Sequence, residues 1–146
     1  NVTFLHTGYS DPSKLTPADL KEAMLNRKTV VSMGPFLKTN PLPGSIVTGN
    51  TELSVEVMAP SWVQIDTLKL LQNGFLYDQI DNPIPGETHR FLLNPESDAW
   101  FTVVATGNEP MLPVHNRKPW AMTSAILVDA DGNGWTAPFP PLTPDP

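Results

Sequence analysis

Leu15-Thr16-Pro17-Ala18-Asp19-Leu20, running into Thr29-Val30-Val31-Ser32-Met33-Gly34-Pro35-Phe36, decides the fold class, because it is the last place where a helix can be read. Thr16 offers the short hydroxyl of an N-cap, Pro17 the fixed φ of a first helical residue, and Asp19 a carboxylate at the free amides of the first turn. Leu15 and Leu20 have the spacing of a hydrophobic staple. Leu20, Ala23 and Met24, joined by Arg27, then recur at helical spacing, with Lys21, Glu22 and Asn26 turned outward. The β-branched run Thr29-Val30-Val31 ends the helix near Lys28 and opens a strand. Upstream, Val2–Leu5 reads as a short strand and Gly8–Ser13 as a loop. One helix–strand unit cannot complete an α/β layer by itself, so residues 1–38 are expected to be the last elements of a larger α/β assembly.

After Pro41 the pattern turns wholly to strands. Leu53, Val55 and Val57 alternate with Ser54 and Glu56, giving one dry and one wet face. Ile65, Leu68 and Leu70 lead into Asn73-Gly74, a strong hairpin signal, and Phe75–Ile80 runs back from it. Thr88–Leu93, Ala99–Thr106, Ala121–Asp129 and Trp135–Pro138 are further candidates. The sequence holds 17 proline residues, more than twice the ordinary share of about 5%. Many stand where a strand should end, since proline has no amide hydrogen for a ladder. Short strands between frequent turn signals predict a mainly β fold, an antiparallel β-sandwich of immunoglobulin-like or jelly-roll type over residues 39–146. Val55, Val57, Leu68, Leu70, Phe101, Val103, Ile126 and Val128 are its expected core. The ending from Pro138 to Pro146 is expected to be an extended, polyproline-like tail.

A length of 146 residues suits one domain, or one domain with an extension, and can bury a sizeable core. A net charge of −6, with only nine scattered Lys and Arg, argues against a nucleic-acid partner or an anionic membrane surface. No apolar run is long enough to insert into a membrane. The absence of Cys excludes disulfides, thiolate metal sites and Cys nucleophiles, and leaves the compartment open between cytoplasmic and periplasmic or secreted.

Candidate chemistry is sparse. His6, His89 and His115 are isolated, and none has a second His at metal-ligand spacing. Ser32 has no base near it in sequence, and neither a Gly-x-Ser-x-Gly elbow nor a glycine-rich phosphate loop occurs. No catalytic residue and no cofactor-binding residue is therefore assigned to this chain. Asp129-Ala130-Asp131-Gly132-Asn133-Gly134 has oxygen ligands in a tight turn, which makes Asp129, Asp131 and Asn133 calcium candidates. It lacks the third early carboxylate and the closing bidentate Glu of an EF-hand loop, and reads more simply as a turn. Trp100 is expected in the core. Trp62 and Trp120, each beside a proline or a strand mouth, are candidates for a ligand-stacking surface, with packing as the plainer reading.

The opening stretch resembles the end of the PHP domain (polymerase and histidinol phosphatase), in particular that of the CehA/McbA-type metallohydrolases. Leu68-Lys69-Leu70-Leu71-Gln72-Asn73-Gly74, Ala99-Trp100-Phe101-Thr102-Val103-Val104-Ala105 and the ending from Ala125 to Trp135 extend the resemblance, in order, over most of the chain. It implies a distorted (β/α) barrel whose divalent metals, Zn, Mn or Fe, activate water for ester, amide or phosphoester hydrolysis, with a β-sandwich following. It makes residues 1–38 the C-terminal helix–strand elements of that barrel and places His6 where a loop can approach the active site. The family's last metal motif, Asp-x-His, does not occur here, so no metal ligand is carried onto a numbered position.

The expectation is an accessory C-terminal region of a metal-dependent PHP-type hydrolase, not catalytic by itself. Its expected partner is the remainder of the barrel, a partner chain or a second copy. The alternative is a stand-alone β-sandwich module recognising carbohydrate or protein. That alternative accounts for the aromatics but gives the opening helix no purpose.

Overall fold

The computed structural model describes residues 1–139. Of the Pro-rich ending only Pro138 and Phe139 fall within them, so the expected tail lies outside the described residues. The chain is mainly β, with eleven strands and one α-helix among the described residues. In chain order these are β1 (Val2–Leu5), α1 (Pro17–Leu25), β2 (Thr29–Met33), β3 (Phe36–Asn40), β4 (Ile46–Thr48) and β5 (Thr51–Met58). They are followed by β6 (Thr67–Gln72), β7 (Phe75–Asp81), β8 (Thr88–Leu93), β9 (Ala99–Thr106), β10 (Trp120–Thr123) and β11 (Ile126–Asp129).

Two sheets share one core. The larger has eight strands, with β1, β2, β10 and β9 adjacent in that order, then β11 and β4. β6 joins β9 along its other edge and carries β7 beyond it. The smaller sheet is β3-β5-β8. All pairings are antiparallel except the parallel contact of β4 with β11. All eight expected core residues are fully buried, drawn from both sheets, and Leu37, Leu53, Phe91 and Leu93 of the small sheet are among those that join them in the cluster.

Alternation explains β5, whose buried Leu53, Val55 and Val57 alternate with more exposed neighbours. Asn73 and Gly74 both adopt positive φ, as the tight turn between β6 and β7 requires. The stretch expected as one strand from Ala121 to Asp129 is two. Met122 faces Val104 and Ile126 faces Phe101, so β10–β11 spends one residue more than β9 across the gap, a bulge. The Thr123 hydroxyl fills the lost rung by accepting from the Val103 amide at 3.0 Å. Trp135–Pro138, also expected as a strand, is not one. Its ordering comes from side chains: the Trp135 indole donates to the Ala99 carbonyl and Thr136 bonds Asp98. Trp100 is half-buried rather than core, because its position on β9 faces away from the small sheet and lies against the Asn73-Gly74 turn.

The opening segment joins the larger sheet. β2 pairs with β10 from Met33↔Trp120 to Val30↔Thr123, and β1 pairs with β2 outside it. The expected strand through Phe36 is two strands in different sheets, split where Gly34 takes a φ of +115° and leaves no room for a Cβ beside the Met111 sulfur. The boundary expected at residue 38 therefore falls inside β3. The helix cap is as read: Thr16 and Asp19 form a reciprocal capping box, and α1 ends at Leu25, slightly before Lys28. Its packing is thinner than the spacing implies, since Ala23 is its only buried residue. The loop after β3 presses on the helix end at Gly44, where a Cβ would lie 1.9 Å from the Asn26 carbonyl oxygen.

Replacing Val103 with Asp is expected to unfold the protein, because an unpaired charge in this core costs several kcal/mol, roughly 3–5 or more. Near-native stability in a urea melt would refute the core assignment. Removing residues 1–38 should also abolish cooperative unfolding, because it strips β2 from β10 and takes Leu37 and Val30 out of the core. A truncated chain melting like the full one would show that the segment is only laid on the surface.

Candidate functional site

The two sheets differ in width, and the difference creates the concave surfaces. Three strands cannot cover eight, so the inner face of the larger sheet is left open beyond β3. Val2 and Phe4 of β1 pair across from Ser32 and Val30, on the inward face. Phe4 meets Phe36 of β3 edge-to-face at 4.9 Å between ring centroids. On one side of this pair lies a cleft of about 330 Å³, lined by Val30, Phe36, Leu37, Leu42 and Pro43 among others. His6 and Lys28 also line it. On the other side a second hollow of about 310 Å³ is lined by Val2, Phe4, Trp62, Met111 and His115, among others.

His6 follows directly on β1, and its amide donates to the Lys28 carbonyl at 2.8 Å, which anchors it at the cleft. His115 lines the second hollow, while His89 lies on β8, with a ring nitrogen 3.3 Å from the Ile84 carbonyl. The fold thus brings no two histidines into one metal site. Trp62 is 48% exposed in the loop between β5 and β6 and faces the second hollow. Trp120 is half-buried on β10 between Met33 and Thr106, and does not line that hollow. The two tryptophans do not form a common stacking platform.

The Asp129–Gly134 run is a turn with a carboxylate cluster. Ligand oxygens of Asp129, Asp131 and Asp98 lie within 4.8 Å of one another. Asp98, from the loop before β9, was not singled out by the sequence; only its place in the fold brings it here. These carboxylates are already engaged. Asp129 accepts from the amides of Gly132 and Gly134 at 2.8 and 3.0 Å. Asp131 accepts from the amide and side chain of Asn133, so the Asn133 side chain is spent on the turn itself. Asp98 accepts from the amides of Ala130 and Thr136 at 2.9 and 2.6 Å. The Ala130 bond first, then Thr136, holds the Asp98 carboxyl below the usual aspartate range. The cluster holds no histidine or other nitrogen ligand, and its carboxylates are partly engaged by amides of the turn itself.

No helix among the described residues is long and apolar enough to cross a membrane. No family model matches the chain, and no curated protein matches it. Among solved structures, a lytic polysaccharide monooxygenase of Jonesia denitrificans is similar at a TM-score of 0.37 and 19% identity. The likeness covers 62% of this chain and 60% of that one.

Because the Asp98 carboxyl is depressed in the folded state, its stabilisation is complete above the unfolded value of about 3.9 and is lost as pH falls through the lower folded value. Asp98→Asn should therefore flatten the acid limb of the stability profile below about pH 4 while leaving its shape near neutrality unchanged. Urea melts across that range check it; an acid limb as steep as that of the unaltered protein would dismiss the role assigned to the Ala130 and Thr136 bonds.

Proposed function

We propose that this chain is the accessory region of a metal-dependent hydrolase of the PHP type, supplying no catalytic group and serving as a packing surface for the metal-bearing barrel. The reaction of that enzyme would be hydrolysis of an ester, amide or phosphoester. The observation that carries this reading is the uncovered opening segment. Leu20, Met24 and Leu25 of α1 are 40%, 64% and 69% exposed, and β1 is a free sheet edge whose Val2 is 58% exposed. A capped helix that buries one residue of its own presents the rest of its apolar surface to something else. The PHP resemblance of that same stretch names the surface it suits. The engaged Asp98–Asp129–Asp131 cluster and the separated histidines are in keeping with chemistry residing elsewhere.

For the two-sheet core, the finer reading is an immunoglobulin-like sandwich rather than a jelly roll. The order β4-β11-β9-β6-β7 over β3-β5-β8 parallels the immunoglobulin arrangement, with β5 and β8 in the places of strands B and E and β6, β9 and β11 in those of C, F and G. In this reading β1, α1 and β2 are the added elements, the last of the barrel. A stand-alone binding module is the second reading, favoured by exposed Trp62 over the hollow beside Phe4.

Mixing the 146-residue chain with a separately produced, metal-bearing PHP barrel tests the proposal. The chain should co-purify with a barrel whose activity is lost on chelation, and the double variant Leu20→Lys/Met24→Lys should weaken that association by about tenfold or more, since each apolar side chain buried there is worth roughly 1.5–3 kcal/mol. The variant's own melting transition should stay near that of the unaltered chain, both positions being exposed. Association unaffected by the double variant, or no association at all, would rule the reading out.

A further inference from the structure

We propose that the cleft between β1–β2 and β3 binds a small apolar monocarboxylate, with its hydrocarbon part among Phe4, Val30 and Phe36 and its carboxylate at the Lys28 ammonium. This goes beyond the accessory role and does not rest on it. The cleft's volume of about 330 Å³ is at the small end of the range for small-molecule sites. Its walls are largely apolar, which favours a ligand carrying hydrocarbon over a sugar.

Charge selects the polar end. The chain has 15 Asp and Glu against nine Lys and Arg, yet no carboxylate lines this cleft, whereas Lys28, Lys38 and His6 do. The two ammoniums at this apolar hollow are each paired with a carboxylate that does not line it, Lys28 with Glu22 and Lys38 with Glu56. The Lys28 ammonium is held 3.3 Å from Glu22, a carboxylate that is itself 64% exposed at the side chain. Exposed pairs of this kind contribute little, so the ammonium can exchange Glu22 for a carboxylate lodged in drier surroundings. A further sign of a receiving wall is Thr39. Its side chain is buried in the same cleft wall, and its Oγ1 is the one buried side-chain polar atom without a hydrogen-bond partner among the described residues. Such atoms are rare in folded proteins, and a ligand oxygen would give this donor an acceptor.

Octanoate titrated into the 146-residue chain, followed by calorimetry and amide chemical shifts, is the test, with octanol as the uncharged control. Octanoate should bind and shift residues of β1 and β3, and octanol should bind about tenfold more weakly, the worth of one charge-assisted contact. Lys28→Met, which keeps the stem and removes the charge, should cost octanoate a similar factor. Glu22→Gln, which frees Lys28 from its competitor, should strengthen octanoate binding severalfold. Leu42→Trp, which adds bulk at a residue lining the cleft, should abolish it, with the thermal transition of each variant recorded to exclude unfolding. Absence of octanoate binding, equal binding of octanol, no gain in Glu22→Gln, or undiminished binding in a folded Leu42→Trp protein would each overturn the proposal.

Discussion

β9 is hydrogen-bonded along both edges, and the rest of the molecule takes its place from that. β6 matches it from Gln72↔Phe101 to Thr67↔Thr106, while β10 and β11 share its other edge in succession. Its inward residues Phe101, Val103 and Ala105 are fully buried beneath the small sheet. A one-residue slip of this strand would turn all three toward solvent, so its register is strongly fixed. Once it is fixed, β10 positions β2, β2 positions β1, and β11 positions β4. The opening segment is thereby tied to the core through two ladders, although its helix buries only Ala23.

The same constraint makes the sheets unequal. Every strand that extends the large sheet past β3 or β8 adds an inner face with nothing opposite it. At one end this exposes Val2 and Phe4 of β1; at the other it leaves Phe75 and Tyr77 of β7 exposed, Tyr77 resting edge-on against Phe101 at 5.3 Å. Bulk apolar exposure is ordinary for a protein surface, but a hollow walled by it is not. The concavities beside Phe4 thus follow from topology, with aromatic side chains shaping them.

Strands whose signal was local were legible. β1, β8 and β9 have the bounds that composition and alternation give, and the Asn73-Gly74 turn follows from the need for positive φ. The helix cap was legible for the same reason, since Thr16, Pro17 and Asp19 satisfy their amides within one turn. What escaped depends on partners distant in sequence. The bulge at Ser124-Ala125 exists because β10–β11 outruns β9, and neither residue announces it. Trp100 belongs to an apolar run, and only the register of β9 against β6 shows that it faces outward. Asp98 carries no motif; it matters because Ala130 and Thr136 arrive beside it. The split of Thr29–Phe36 between two sheets hangs on Gly34, which composition alone leaves unremarked.

The polar groups divide between those that close the fold and those that face its hollows. Asp98 and Asp129 accept from the backbone amides of Ala130, Thr136, Gly132 and Gly134, which ties the segment after β11 back to the large sheet. The cationic groups beside Phe4 are in the opposite condition. Lys28 is held only by an exposed partner, and the pairing of Lys38 with Glu56, at 3.4 Å, is similarly loose. Strong polar bonds are spent where the fold has to be closed, and weak ones remain where a hollow faces outward. A group that is bound tightly within the fold has little interaction free energy left for a ligand, whereas one held by a screened pair retains nearly all of it. By that measure, interaction free energy for a ligand remains at Lys28 and Lys38, in the cleft that β1, β2 and β3 border.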